Sequence, residues 1–171
     1  MTFPQNERFK RILGKYRKQI IRMKRHEALV QLSRDHHFGL LLCWKLKEGL
    51  NRNISPERMS KYIKLFYLQN LKPHFSEEEE TIFKVLGEEH PLIKEALSQH
   101  NTFHEMVEKG FKTPEEIGFF RDLLELHIRT EERKIFPEIE KQATDEQLQN
   151  LLQQHYPELK EPEYDDIFWK D

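Results

Sequence analysis

The chain has 171 residues, 37% hydrophobic and 34% charged, with 28 basic against 30 acidic residues and a formal net charge of −2. That length suits one compact domain with a real core and is short for two. No apolar run approaches the roughly 20 residues that cross a bilayer, and the N-terminal stretch lacks the apolar segment of a secretory signal. Cys43 is the lone cysteine, which rules out an internal disulfide and leads us to expect a cytoplasmic, reducing setting.

Every charged residue from Arg8 to Arg25 is basic. Residues 1–25 read as a basic helical extension that packs through Phe9, Ile12, Tyr16 and Ile20, with no nucleic acid expected, because a basic run alone is weak evidence for one. The first strong helix spans about 26–50, with Leu29, Leu32, Leu40, Cys43 and Leu50 on its apolar face. Ser55 and Pro56 open the next, as N-cap and first-turn residue. A kink or restart is expected at Pro73, and a stop at Gly87. Pro91 starts a third helix that ends at Gly110. The sequence Thr113-Pro114-Glu115-Glu116 forms a capping box for a fourth, reaching at least Phe136 before Pro137. Thr144 to Gln147 caps a short fifth, followed by an acidic tail containing Tyr164, Phe168 and Trp169. Short links favour antiparallel neighbours, so the expectation is an all-α, up-and-down four-helix bundle over 26–142 with extra N-terminal and C-terminal segments, the latter over 143–171.

Two stretches echo each other. His74 to Phe83 (HFSEEEETIF) and His127 to Phe136 (HIRTEERKIF) share His, Glu, Glu, Ile and Phe in register. His74 and Glu78 are four apart, as are His100 and His104, and His127 and Glu131, a spacing that puts both side chains on one helix face. Each pair also continues an apolar row. Glu78 and Glu131 precede Ile82 and Ile135 by four, His100 follows Leu97 by three, and His36 is spaced in register with Leu29, Leu32, Leu40 and Cys43. Five histidines and two glutamates on core faces would be badly desolvated without partners, and a metal cluster satisfies them together. Imidazole with carboxylate suits iron, with manganese or zinc as substitutes. His37 competes with His36 for the first position, and Glu132 with Glu131 for the last. The helical period favours His36 and Glu131, which leaves His37 and Glu132 as candidates for orienting a ligand. His26, His90 and His155 read as surface residues, His90 also marking a helix start.

The order His, then His-x-x-x-Glu, then His-x-x-x-His, then a final His followed by a carboxylate resembles the hemerythrin, or HHE cation-binding, family. The resemblance runs from Leu32-Ser33-Arg34-Asp35-His36-His37 through His74 to Phe83 and His100/His104 to the His127–Pro137 stretch, and covers about residues 26–140. It implies two non-haem irons bridged by two carboxylates and an oxo or hydroxo species. Glu78 and Glu131 would bridge, and His36, His74, His100, His104 and His127 would be terminal ligands, three on one iron and two on the other. An open position would take dioxygen or another small oxidant. Oxygen-carrying relatives place an Asp five residues after the last His, where this chain has Glu132.

The favoured function is therefore a di-iron protein that binds or senses dioxygen. The alternatives are an oxidoreductase acting on nitric oxide, peroxide or dioxygen, an iron donor in iron–sulfur centre repair, or a sensor whose termini engage a protein partner. No nucleophile triad, phosphate-binding glycine loop or Cys-x-x-Cys pair supports hydrolase, nucleotide or thiol-redox chemistry.

Overall fold

The computed structural model describes residues 25–170, so the basic segment up to Lys24 and its proposed packing face lie outside the described residues. Four rods form the bundle. The first is α1 (Glu27–Asn51). The second is α2 (Pro56–Phe66), which passes through a π turn (Tyr67–Leu71) into α3 (Lys72–Glu80) and on to the short α4 (Phe83–Leu86). The third is α5 (Pro91–Lys109). The fourth is α6 (Pro114–Thr130), which passes through a second π turn (Glu131–Ile135) into α7 (Phe136–Gln142). A short α8 (Asp145–Leu152) follows, and no strand occurs among the described residues.

The helix starts are set by side chains that capture orphan N–H groups. Ser55 accepts from the Arg58 amide, Thr113 and Thr144 complete capping boxes with Glu116 and Gln147, and His26 and His90 cap α1 and α5 through ring nitrogens. Gly87 and Gly110 end helices at φ 84° and 75°, left-handed values that favour glycine.

The kink or restart expected at Pro73 falls where the first π turn gives way to α3, and the fourth rod, expected to reach at least Phe136, runs on past Pro137. Pro73 and Pro137 each lie two residues beyond a π turn. In an α-helix a proline leaves the carbonyl four residues back without a donor and clashes with it. Here those carbonyls belong to Gln69 and Arg133, inside the two π turns, where the wider hydrogen-bond ring absorbs the misfit. The fourth rod therefore continues past Pro137 to Gln142.

The core is split in two. One apolar half contains Leu42, Leu46, Tyr62, Phe66, Phe103 and Phe120. The other contains Leu29, Leu32, Ile82, Ile93, Ile135 and Ile139. Along α1 and α5 the chain runs from the second half to the first, and along the other two rods it runs back, which is the signature of up-and-down connection. In every rod the change of half coincides with a buried histidine: His36, His74, His100 and His127. A polar layer thus crosses the middle of the bundle.

The acidic tail packs back on the first apolar half. Phe168 is fully buried, Trp169 nearly so, and both rings meet Tyr62. Lys45 Nζ, buried in α1, donates to the Tyr62 hydroxyl at 2.7 Å and pairs with Glu161, while Arg58 pairs with Asp166. Two of the tail aromatics, Phe168 and Trp169, are thus packed within the chain.

Candidate metal centre

The polar layer is built from six side chains, each 0–5% exposed: His36, His74, Glu78, His100, His127 and Glu131. The helical spacing of four brings His74 over Glu78 and His127 over Glu131, with Nε2 to carboxylate distances of 3.2 Å in both pairs. His36 Nε2 lies 3.0 Å from Glu131 and 3.6 Å from Glu78. His100 Nε2 lies 3.5 Å from Glu78 and 4.0 Å from Glu131.

The oxygens are divided in a consistent way. Glu78 Oε1 and Glu131 Oε2 face His36 and His74, whereas Glu78 Oε2 and Glu131 Oε1 face His100 and His127. Each carboxylate therefore serves both histidine pairs. Two four-residue groups result, each with its ligand atoms within 4.8 Å of one another: His36, His74, Glu78 and Glu131, and Glu78, His100, His127 and Glu131.

Three of the four imidazoles are held from outside by their other nitrogen. Glu132 lies 2.7 Å from His36 Nδ1, Glu79 lies 2.6 Å from His100 Nδ1, and Gln99 Oε1 lies 2.7 Å from His127 Nδ1. Asp35 lies 3.7 Å from His74 Nδ1, beyond a hydrogen bond but close enough for its charge to act. An acceptor at Nδ1 keeps the proton there and leaves the Nε2 lone pair facing inward, the tautomer a metal requires. Glu132 is anchored in turn by Arg25, which donates to its carboxylate at 2.9 Å and its carbonyl at 2.8 Å.

Electrostatics without a cation are strained toward charge pairing. Burial would lower the His74 pKa, but the charge of Glu78 and the closeness of the Asp35 and Glu78 carboxylates to its two ring nitrogens push it up to about 9. For His100, burial is likewise outweighed by Glu78 and Glu79, to about 8. His36 is raised well above its ordinary value against the same burial, through Glu131, Glu132 and Glu78. Burial would raise Glu132, yet His36 and Arg25 hold it at about 2. Glu78 and Glu131 are lowered against burial by the surrounding imidazoles.

The residues fit a pair of cations. Both oxygens of Glu78, both of Glu131, and Nε2 of His36 and His74 are buried with no hydrogen-bond partner among the described residues. Orphaned buried polar atoms are costly, and here they all converge on one point. His100 Nε2 and His127 Nε2 approach to 3.1 Å. Such a separation suits two nitrogens that each lie roughly 2.0–2.1 Å from one ion. Around the layer, Phe75 stacks on His100 at 3.9 Å, Phe83 covers its other flank at 5.7 Å, and Phe136 stacks on His36 at 5.4 Å. These rings keep bulk water away.

One expected ligand lies elsewhere. His104 is exposed, and its Nδ1 meets the Tyr67 hydroxyl at 3.1 Å, outside both groups. The core row of α5 continues from His100 to Phe103, fully buried, and then Val107, so the position four after His100 falls at the edge of the buried face. Where five histidines were expected, three against two, each of the two groups contains two. His37 is half-buried at the edge of α1, against Phe38. Glu131 and Glu132 do not compete, because the π turn directs both inward, one to the centre and one to the back of His36. The roles of Gln99 and Arg25 were missed, since nothing in their spacing marks them. Asp35 was noted only as part of a motif.

The sequence model of the hemerythrin HHE cation binding domain matches residues 5–139. No curated protein and no solved structure matches the chain. With the family model covering most of the sequence and the histidine–carboxylate layer in the bundle core, the chain belongs to the hemerythrin HHE cation-binding family.

Proposed function

We propose that the centre holds two non-haem iron ions and binds or senses dioxygen or a related small oxidant, with the 26–142 bundle as the working unit. A cytoplasmic setting goes with this reading, supported by the single, buried Cys43. The observation that carries the proposal is the division of the Glu78 and Glu131 oxygens between two histidine pairs, which is what two bridging carboxylates need. Iron in such a ligand set supplies reversible redox change and an open coordination position, the hallmarks of oxygen chemistry at imidazole–carboxylate sites.

The chain's own residues set the conditions. Glu78 and Glu131 neutralise charge at the centre, and His36, His74, His100 and His127 supply nitrogen donors. Glu132, held ionised by His36 and Arg25, fixes the proton of His36 on Nδ1. Phe75, Phe83 and Phe136 exclude water and limit proton leakage. No helix among the described residues is long and apolar enough to cross a membrane.

The test is anaerobic loading with ferrous iron, exposure to dioxygen, and removal of dioxygen under argon, followed by visible absorption. A charge-transfer band that appears with dioxygen and fades under argon is expected. A band that forms irreversibly with turnover of an electron donor would replace binding with the oxidoreductase reading. No spectral response at all would refute both.

A further inference from the structure

Beside the centre lies a small cavity, about 10 Å³ for the centre of a water-sized sphere, reached by His36, His74 and Glu131. That is room for a molecule of about the size of water or slightly longer, and too little for an organic substrate. Its other walls are largely apolar, including Phe66, Ile128 and Leu159 from the C-terminal segment.

Asn70 is out of place in this lining. It is 1% exposed, and neither its Nδ2 nor its Oδ1 has a hydrogen-bond partner among the described residues. It sits within the first π turn, four residues before His74, so it lies one turn from that ligand on the same face. A leucine of nearly the same volume would be a better helix former and would leave no amide unpaired. Buried groups left unsatisfied in a native fold call for a role, and π turns concentrate at functional sites.

We propose that Asn70 is the hydrogen-bonding anchor of this cavity, and that the ligand taken beside the centre is a small molecule or anion with an oxygen or nitrogen acceptor at its outer end. The inference rests on the two-cation reading and narrows its ligand class. The amide N–H donates to the acceptor atom, while the apolar walls and Leu159 restrict length to about one to three heavy atoms. The selectivity this confers runs against ligands of the same size with no acceptor atom at the outer end, which gain nothing from the amide and lose its hydration.

The test uses azide, a linear triatomic anion, on the full-length iron-loaded protein with Asn70→Leu and Asn70→Ser. Asn70→Leu should keep the wild-type iron content, weaken azide binding about 10-fold, and raise the melting temperature of the metal-free protein by several degrees. Asn70→Ser, which retains a donor on a shorter arm, should bind azide with intermediate affinity. Equal azide affinity in wild type and Asn70→Leu would overturn the inference while leaving the metal reading intact. A lower melting temperature with reduced iron in both variants would make Asn70 a structural residue and also overturn it. Wild-type protein that takes up no iron would overturn the two-cation reading and the inference with it.

Discussion

Raising the pH should destabilise the metal-free protein and stabilise the metal-loaded one. In the metal-free state the folded pKa of His74 is about 9 and that of His100 about 8, against 6.5 for both as ordinary values. A pKa raised by folding contributes stability that is fully present below the unfolded value and is lost as pH rises through the folded value. Between about pH 6.5 and about pH 8.5 the two histidines together should surrender roughly 3–4 kcal/mol, about 2 from His74 and about 1.5 from His100. His36 is raised as well and adds in the same direction. The assay is urea denaturation of chelator-treated protein across that range, read by helical circular dichroism. With metal bound the slope reverses, because the ligands must be neutral and binding releases protons. Stability of the metal-free protein that is flat or rising from pH 6.5 to pH 8.5 would refute the protonated-histidine account of the empty centre.

Because Glu78 faces both histidine pairs, Glu78→Ala should drop bound metal from about two ions per chain to near none, whereas His74→Ala should leave about one, by elemental analysis. Equal losses would mean the two groups do not load separately. A Cβ on Gly39 would meet Ile128 Cδ1 at 2.6 Å, so Gly39→Ala should cost about 1–3 kcal/mol in urea denaturation. Adding Ile128→Val, which removes that methyl, should cost less than the sum of the single changes. Phe168→Ala empties a fully buried site against Tyr62 and Trp169 and should cost about 3–5 kcal/mol. A loss below about 1 kcal/mol would show that the tail is not part of the cooperative unit.

Much of this was legible because burial and chemistry shared one periodicity. Glu78 and Glu131 sit on the rows of Ile82 and Ile135, and the echo between the two stretches survives as two matching arms of the centre. His104 shares its spacing from His100 with the two His–Glu pairs, but the register of α5 is set by Phe103 and Val107 and leaves it outside both groups. At the prolines the sequence marked the place but not the local form. Pro73 and Pro137 break an α-helix by rule, but a π turn just before each one removes the clash, and no residue pattern announced it. The same π turn dissolves the choice between Glu131 and Glu132, which regular helical geometry would have forced. Contacts distant in sequence, such as Arg25 to Glu132, Gln99 to His127 and Lys45 to Glu161, have no local signal at all.

The central claim is tested most directly by iron content after anaerobic reconstitution, with the magnetic coupling of the oxidised protein measured alongside. The account predicts about two irons per chain, antiferromagnetically coupled through the shared carboxylates. One iron per chain or none, or two that behave as independent ions, would contradict a centre built on Glu78 and Glu131 as bridges.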